Sequence, residues 1–398
     1  MPLTKTSSHL LSPQAVTELL ERRSAIYSDR PSLIFGGELV GYKDTPPMIR
    51  YGERHREHLG QWRAMEERHM HGFLRDILRT PEEFLHHVRR VVASIVFRGG
   101  RGPRALSLRH NPDLQVTCHL SPGIAWLTRE YTVRYIPAWT GIGFMQDAKR
   151  FNKIMVAIRD EPYDMIKRKM AEGAAKPSFT GSLIERDANP SIEQELIYKW
   201  TSSVSSISSF FLALSSYTDV QKRAQEELDR IVGRDRLPSL EDRPNLPYLE
   251  AIVQEIHRWN PVAPVALPHR VQQDDVYRGL HIPGGAIVMA NSWAILHDEA
   301  LYPSPDKFMP ERFLGDVKDL NPDPRRFAFG YGRRVCPGRD LADDTLFICV
   351  AMTLAVFDLR RDDTAVEYTP ALICHPVPFR CSITPRSREA QALVTEGK

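Results

Sequence analysis

A short stretch near the carboxyl end of the chain constrains the fold more than any other part of the sequence. Residues 329–338 read FGYGRRVCPG, and a mostly apolar run at residues 341–359 follows at once. Glycines let the backbone approach a flat cofactor closely and leave N–H groups free to point at a sulfur atom. A helix that starts just after Cys336 would place the positive end of its dipole near that sulfur. The stretch therefore predicts that Cys336 is a thiolate ligand of a metal-containing cofactor.

The alternative is that Cys336 is a small buried side chain without chemistry, which is the usual role of a lone cysteine. Four features of the stretch argue against that alternative. A Gly-x-Gly turn precedes the cysteine, Arg334 stands two residues before it, Pro-Gly follows it, and a helical run comes next. Together these features favour the ligand.

The stretch resembles the haem-binding loop of the cytochrome P450 family, the haem-thiolate monooxygenases. Its pattern, Phe-x-x-Gly-x-Arg-x-Cys-x-Gly, is matched at every fixed position. Upstream and in the family's order, residues 255–258 (EIHR) resemble the Glu-x-x-Arg helix and residues 310–313 (PERF) resemble the Pro-Glu-Arg-Phe segment. The resemblance implies that Cys336 is the axial ligand of haem b (iron protoporphyrin IX) and that Phe329 and Gly338 belong to the loop that binds it.

Two of the upstream motifs bring opposite charges together. Glu255 and Arg258 are three residues apart and share one helix face, and Arg312 can add a second guanidinium to the same carboxylate. The resemblance implies that the three form a buried ionic cluster behind the haem. The alternative is an exposed helical pair, which would contribute only a few tenths of a kcal/mol.

Two arginines are candidates for the haem propionates, which are carboxylates that a guanidinium binds through two parallel hydrogen bonds. The resemblance assigns this role to Arg270, in the sequence Pro-His-Arg, and to Arg334. For the neighbouring His269, the sequence favours a structural role in which the ring bonds to the backbone of a strand turn.

The family's long helix over the haem carries an acid next to an alcohol, a pair that delivers protons to bound oxygen. Aligning residues 208–211 with that helix puts Thr201 at the position of the acid and Ser202 at the position of the alcohol. The chain then has a hydroxyl but no carboxylate there, and proton delivery needs a donor within hydrogen-bond reach. The alternative for this serine-rich run is a helix face that packs on its neighbours.

Composition sets further bounds. The 398 residues, 42% of them hydrophobic, suffice for one large core, and we expect a single domain over residues 1–398 with a polar tail at 1–12 and another tail at 386–398. The net charge of +3 gives no signal for nucleic-acid binding. The odd number of cysteines, 5, argues against a disulfide framework and for a reducing compartment.

Helical patterns dominate the chain, and strand-like alternation appears late. The sequence therefore predicts a mainly α protein with a small β portion, as in the cytochrome P450 fold. The predicted helices lie at residues 80–97, 144–173, 191–216, 218–232, 247–260 and 341–359, and the strand-like segments at 276–290 and 368–384.

The first residues differ from those of fungal and animal family members, which usually begin with an apolar membrane anchor and the first strands of a small sheet. Residues 1–13 are polar and contain no run long enough to span a bilayer. We therefore expect an incomplete N-terminal part with no transmembrane anchor, and a location on the cytoplasmic side of the membrane where the family is usually held.

The resemblance implies a monooxygenase that hydroxylates or oxidises a small lipophilic metabolite. It would use O2 and electrons that pass from NADPH through a partner NADPH-cytochrome P450 reductase. Residues 27–31 and 259–264 resemble fungal members that act in secondary metabolism. Two alternatives follow from the departures at Thr201 and at the N-terminus: a non-catalytic haem-binding relic, or a haem-thiolate enzyme that uses peroxide or rearranges its substrate.

Overall fold

The fold is taken from a computed structural model of the chain. It describes residues 7–10, 12–31, 63–97, 149, 152, 168, 170–172, 203–316, 320–336, 338–361, 366–369 and 373–396.

Helices make up most of the described chain. In chain order they are α1 (Pro13–Val16), α2 (Ser24–Tyr27), α3 (Arg63–Arg79), α4 (Phe84–Phe97), α5 (Val204–Ser216), α6 (Thr218–Ile231), α7 (Pro247–Trp259), α8 (Ser292–Leu296), α9 (Arg325–Ala328), α10 (Arg339–Val356) and α11 (Arg388–Glu396). A π-helical turn at Thr17–Arg22 continues α1, and 3₁₀ turns lie at Pro81–Glu83, Leu240–Asn245, Pro310–Phe313 and Gly332–Arg334.

Short strands form small sheets beside these helices. The strands are β1 (Ser7–Leu10), β2 (His269–Arg270), β3 (Asp275–Tyr277), β4 (Leu280–Ile282), β5 (Ile287–Ala290), β6 (Phe357–Arg360) and β7 (Ser382–Pro385). Strand β5 lies between β1, which is parallel to it, and β2, which is antiparallel. Strands β3 and β4 form a hairpin, and β6 pairs with β7. The mainly α architecture with a small β portion is confirmed.

The larger hydrophobic core surrounds α10. Every residue from Thr345 to Leu354 of this helix is buried, and α3, α5, α6 and α7 pack around it. A helix that is apolar on all sides is stable only at the centre of a core, so the apolar run fixes α10 there. The thiol of Cys349, within this run, is fully buried.

A second apolar cluster joins the N-terminal helices to the three-stranded sheet. It includes Leu19 and Tyr27 from the N-terminal segment, Val288 from β5, and Phe327 and Tyr331 near the cysteine stretch. Residues far apart in sequence therefore meet on one side of the site.

Most predicted helices are found close to their expected bounds. Those expected at 218–232 and 247–260 each end one residue earlier, and the one expected at 80–97 forms from a 3₁₀ turn and α4. The run at 341–359 is helical to Val356, after which the chain becomes β6. The helix expected at 144–173 and the start of the one expected at 191–216 fall largely outside the described residues.

The structure describes a regular element within each of the two expected tails. Within residues 1–12, Ser7–Leu10 forms a strand whose backbone pairs with β5, so the chain does supply a first strand to a small sheet. Backbone hydrogen bonds hold an edge strand such as this one, and composition does not reveal it. Within residues 386–398, α11 buries Ala390, Leu393 and Val394, whose spacing matches one helix face.

Among the residues that the structure describes, no helix is both long enough and apolar enough to cross a membrane.

The burial of α11 can be tested by one substitution. Leu393→Ala removes a side chain that is 8% exposed, so the free energy of unfolding should fall by about 2–5 kcal/mol. Gln391→Ala, at an exposed position of the same helix, should change it by less than about 0.5 kcal/mol. Urea denaturation of both variants measures the difference, and equal effects would show that α11 does not pack on the core.

Candidate functional site

Cys336 lies in a tight loop between α9 and α10. The loop begins at Phe329, whose carbonyl oxygen accepts a 2.7 Å hydrogen bond from the N–H of Cys336. The 3₁₀ turn at Gly332–Arg334 fills the space between these residues, and α10 begins at Arg339. This backbone hydrogen bond closes the loop and fixes the position of the cysteine.

One glycine of the loop is required by the approach of another segment. Gly332 has a φ of +55°, and a Cβ at this position would overlap the carbonyl oxygen of Leu20 in the π-helical turn. No other residue type has both the backbone freedom and the missing side chain. The N-terminal segment therefore packs directly on the cysteine loop.

Cys336 is exposed on the loop, although protein atoms crowd its sulfur. This crowding raises the pKa of the thiol above its usual value, and the Gly338 N–H and the Arg339 guanidinium offset part of the rise. An N–H aimed at the sulfur and the start of an 18-residue helix both favour a thiolate. The donor set thus fits a bond between sulfur and iron.

The two arginines expected at the propionates differ in environment. Arg334 is buried, and its Nε donates a 2.7 Å hydrogen bond to the carbonyl of Ser28. The side chain of Arg270 is 38% exposed, and its Nη1 lies 3.4 Å from the Asp29 carboxylate. Both side chains are anchored to residues 28–29, so the same segment positions both guanidiniums.

His269 is buried beside them, and its Nδ1–H donates a 2.6 Å hydrogen bond to the carbonyl of Tyr27. Burial, together with the nearby Arg30 guanidinium, lowers the pKa of His269 to about 3. The ring is therefore neutral, and it bonds to backbone as the sequence favours.

Arg30 is a residue that sequence reasoning missed. It is 5% exposed, and its Nη1 donates to the carbonyls of Leu267 and Pro268 at 2.9 Å and 2.8 Å. Burial, followed by repulsion from Arg334, lowers the pKa of Arg30 to about 9. Two buried guanidiniums close enough to repel each other mark a place suited to an anion. The segment Tyr-Ser-Asp-Arg-Pro was the only signal in the sequence.

The structure places Glu255, Arg258 and Arg312 together, as their spacing suggested. The Nε and Nη2 of Arg258 each donate to Glu255 at 2.8 Å, and the Nε of Arg312 lies 3.1 Å from the same carboxylate. Glu255 and Arg258 are fully buried and Arg312 is 7% exposed. The alternative of an exposed pair is therefore wrong.

Backbone groups complete this ionic cluster. The N–H of Met309 donates to Glu255 at 2.8 Å, and Arg258 donates to the carbonyls of Leu296 and Lys307 at 3.1 Å. Burial lowers the pKa of Arg312, and the Glu255 carboxylate raises it in part. The cluster thereby joins α7 to the segment that leads to the cysteine loop.

Thr201 and Ser202 lie outside the described residues, so their roles stay predictions. The serines that follow them are described and are used for packing. Ser205 donates to the carbonyl of Cys374, Ser208 donates to Val204 O at 2.8 Å, and Ser209 accepts from Asn260 at 3.0 Å. This part of the serine run matches the alternative of a packed helix face.

Comparisons with known proteins identify the family. The model of the family described as Cytochrome P450 matches residues 201–382. Cytochrome P450 monooxygenase claR of Ampulloclitocybe clavipes is 38% identical, over 96% of this chain and 78% of the relative. This chain belongs to the cytochrome P450 family. Cytochrome P450 monooxygenase 208 of Postia placenta is 37% identical over 97% of this chain and 83% of the relative. Tryptamine 4-monooxygenase of Psilocybe cyanescens is 34% identical over 94% of this chain and 82% of the relative.

Membership settles the class of reaction and the cofactor. The protein is an oxidoreductase of the monooxygenase type, and the cofactor of its family is haem. Within the described residues, no cluster of three or more His, Cys, Asp or Glu side chains could hold another metal ion.

The close contact at Gly332 predicts a local and severe effect of a small change. Gly332→Ala places a methyl group against Leu20 O, so the loop or the N-terminal segment must move. We expect a loss of haem content. Gly233→Ala is the matched control, because Gly233 has a φ of +85° with nothing near its Cβ position; it should cost only about 1–2 kcal/mol. Similar haem content and melting temperature in the two variants would show that the contact is unimportant.

The ionic cluster predicts a larger effect than a surface pair. Glu255→Ala leaves two buried guanidiniums without their carboxylate, and the free energy of unfolding should fall by about 3–5 kcal/mol. Arg22→Ala breaks the exposed Glu18–Arg22 pair and should cost less than about 1 kcal/mol. Chemical denaturation compares the two variants. Equal, small effects would contradict a structural role for the cluster.

Proposed function

We propose that the protein is a haem-thiolate monooxygenase in which Cys336 is the axial ligand of haem b. The observation that carries the proposal is the accessible Cys336 thiol, held in a closed loop at the start of the buried helix α10. The reaction would oxidise a small lipophilic metabolite with O2, and NADPH would supply the electrons through a partner reductase.

When bound, haem with a thiolate ligand would supply the redox chemistry that places one oxygen atom of O2 in the substrate and releases the other as water. The chain's own residues hold and orient it. We propose that Arg270 and Arg334 bind the propionates, with Arg30 adding positive charge beside Arg334. Phe329 and Gly338 shape the backbone around the sulfur.

The substrate class is inferred from the relatives. The name of one relative states that it acts on tryptamine, a small aromatic amine. The relatives named above come from fungi. We infer that this chain acts on a small lipophilic metabolite, in fungal secondary metabolism.

The partner reductase would approach the side of the molecule that carries the cysteine. Arg326, Arg333 and Arg339 are exposed on and beside the loop, and they would suit an acidic protein surface. A reductase bound to these side chains would lie on the same side of the molecule as the loop that contains Cys336.

One spectrum tests the assignment of the ligand. Reduced wild-type protein with carbon monoxide should show the red-shifted Soret band of thiolate ligation, and Cys336→Ser should lose it because a hydroxyl does not replace a thiolate. Cys381→Ser, which changes a half-buried cysteine elsewhere, should keep it. Retention of the band in Cys336→Ser would refute the proposal.

A second measurement tests proton delivery. We propose that Ser202 and Thr201 stand where the family has its alcohol and acid, so the chain lacks a carboxylate donor there. Loss of a general acid typically slows a reaction about 10²–10⁴-fold. Little product per NADPH consumed is therefore expected, with a marked gain in Thr201→Asp. If product formation in the unchanged protein matches its NADPH consumption, this part of the proposal is contradicted. The argument from Thr201 for a relic or a peroxide-using enzyme is then removed as well.

A further inference from the structure

A second buried ionic cluster lies at the base of the cysteine loop, separate from the one at Glu255. Its centre is Asp343, a residue of α10 that is 7% exposed. One carboxylate oxygen, Oδ1, accepts a 3.1 Å hydrogen bond from Nε2 of His257. The other, Oδ2, accepts from Arg325 at 3.1 Å and from Arg243. Both oxygens of the carboxylate are thus occupied by donors from three different segments.

The charge state of this centre follows from its neighbours. Burial raises the pKa of Asp343, but the His257 hydrogen bond and the two guanidiniums outweigh burial and hold the pKa well below its usual range. Asp343 is therefore ionised at neutral pH, and each of its donors is held by a charge-assisted hydrogen bond.

The ion pair of Arg325 with Asp343 closes the base of the cysteine loop. Arg325 begins α9, just before Phe329, and Asp343 lies in the first turns of α10, just after Cys336. The 3.1 Å contact between them therefore joins the two ends of the segment that contains the cysteine. A loop fixed at both ends has less freedom to move its sulfur.

His257 connects this closure to the loop itself. While its Nε2 is bonded to Asp343, its ring meets the ring of Phe329 edge to face, with centroids 4.9 Å apart and planes at 67°. Phe329 in turn accepts the 2.7 Å hydrogen bond from the Cys336 N–H. An unbroken series of contacts thus runs from the Asp343 carboxylate to the backbone of the cysteine.

We propose that Asp343 and His257 are positioning residues for the haem ligand. Asp343 fixes the orientation of the His257 ring, the ring fixes Phe329, and Phe329 holds Cys336 where its sulfur can stay bound to iron. The inference rests on the proposed role of Cys336 as the axial ligand. Each acts on Cys336 through these contacts of the loop.

Glu250 provides a matched control within the same network. Its carboxylate accepts from Arg243 at 2.9 Å and from Arg325 at 2.7 Å, yet no described contact joins it to His257 or Phe329. Glu250→Gln should therefore weaken the network without releasing the loop. Any general loss of stability would appear in this variant as well.

The experiment uses the haem-loaded full chain and four variants: His257→Phe, His257→Gln, Asp343→Asn and Glu250→Gln. The Soret spectrum of the reduced carbon monoxide complex is followed over time, which gives the rate at which the thiolate-ligated form converts to the form without a thiolate ligand. The melting temperature of each variant is measured separately. His257→Phe keeps a ring but loses the bond to Asp343, whereas His257→Gln keeps a donor but loses the ring. Both, and Asp343→Asn, should convert about tenfold faster than wild type, which equals ~1.4 kcal/mol, the size of one hydrogen bond.

Glu250→Gln should convert at the wild-type rate even where its melting temperature falls. If the His257 and Asp343 variants convert no faster than Glu250→Gln, the inference is wrong and the cluster serves stability alone. If either His257→Phe or Asp343→Asn fails to bind haem, His257→Gln decides, because it keeps a hydrogen-bond donor opposite the Asp343 carboxylate. A wild-type protein without the thiolate band would instead overturn the proposed ligand, and the inference with it.

Discussion

The carboxylate of Glu255 holds together the parts on which the site depends. It is fully buried, and it is surrounded by two guanidiniums and the N–H of Met309. A buried carboxylate is tolerated only when such partners compensate for the loss of water. Because those partners come from α7 and from residues 309–312, the charge fixes the helix against the segment that leads to the loop. The Asp343 carboxylate does the same on the other side of α7, where His257, next to Arg258, faces Phe329.

Between these two carboxylates, the geometry of Cys336 is determined by backbone. The Cys336 N–H is bonded to Phe329, the Gly338 N–H is directed at the sulfur, and Gly332 lets Leu20 approach. The hydrogen bond to Phe329 and the close packing at Gly332 restrict the positions that the loop can adopt before any cofactor binds. Such preorganisation reduces the ordering cost of binding.

Much of the site could be predicted because its residues lie in local motifs. Residues 329–338 contain a complete pattern, and the spacing of Glu255 and Arg258 fixes a shared helix face. Other parts depend on contacts across hundreds of residues, which periodicity does not encode. Arg30 reaches the carbonyls of residues 267–268, and β1 is held by the backbone of β5. His257 stands inside a recognised motif, yet the role proposed for it rests on Asp343, which lies 86 residues away in the sequence.

The central claim is that the accessible thiol of Cys336 is the ligand of the haem iron, and X-ray absorption at the iron edge of the haem-loaded chain tests it most directly. The account predicts a single sulfur scatterer in the first coordination shell, at the distance of an iron–thiolate bond, together with the four porphyrin nitrogens. A first shell that contains only nitrogen or oxygen would contradict the account, whatever activity the preparation shows.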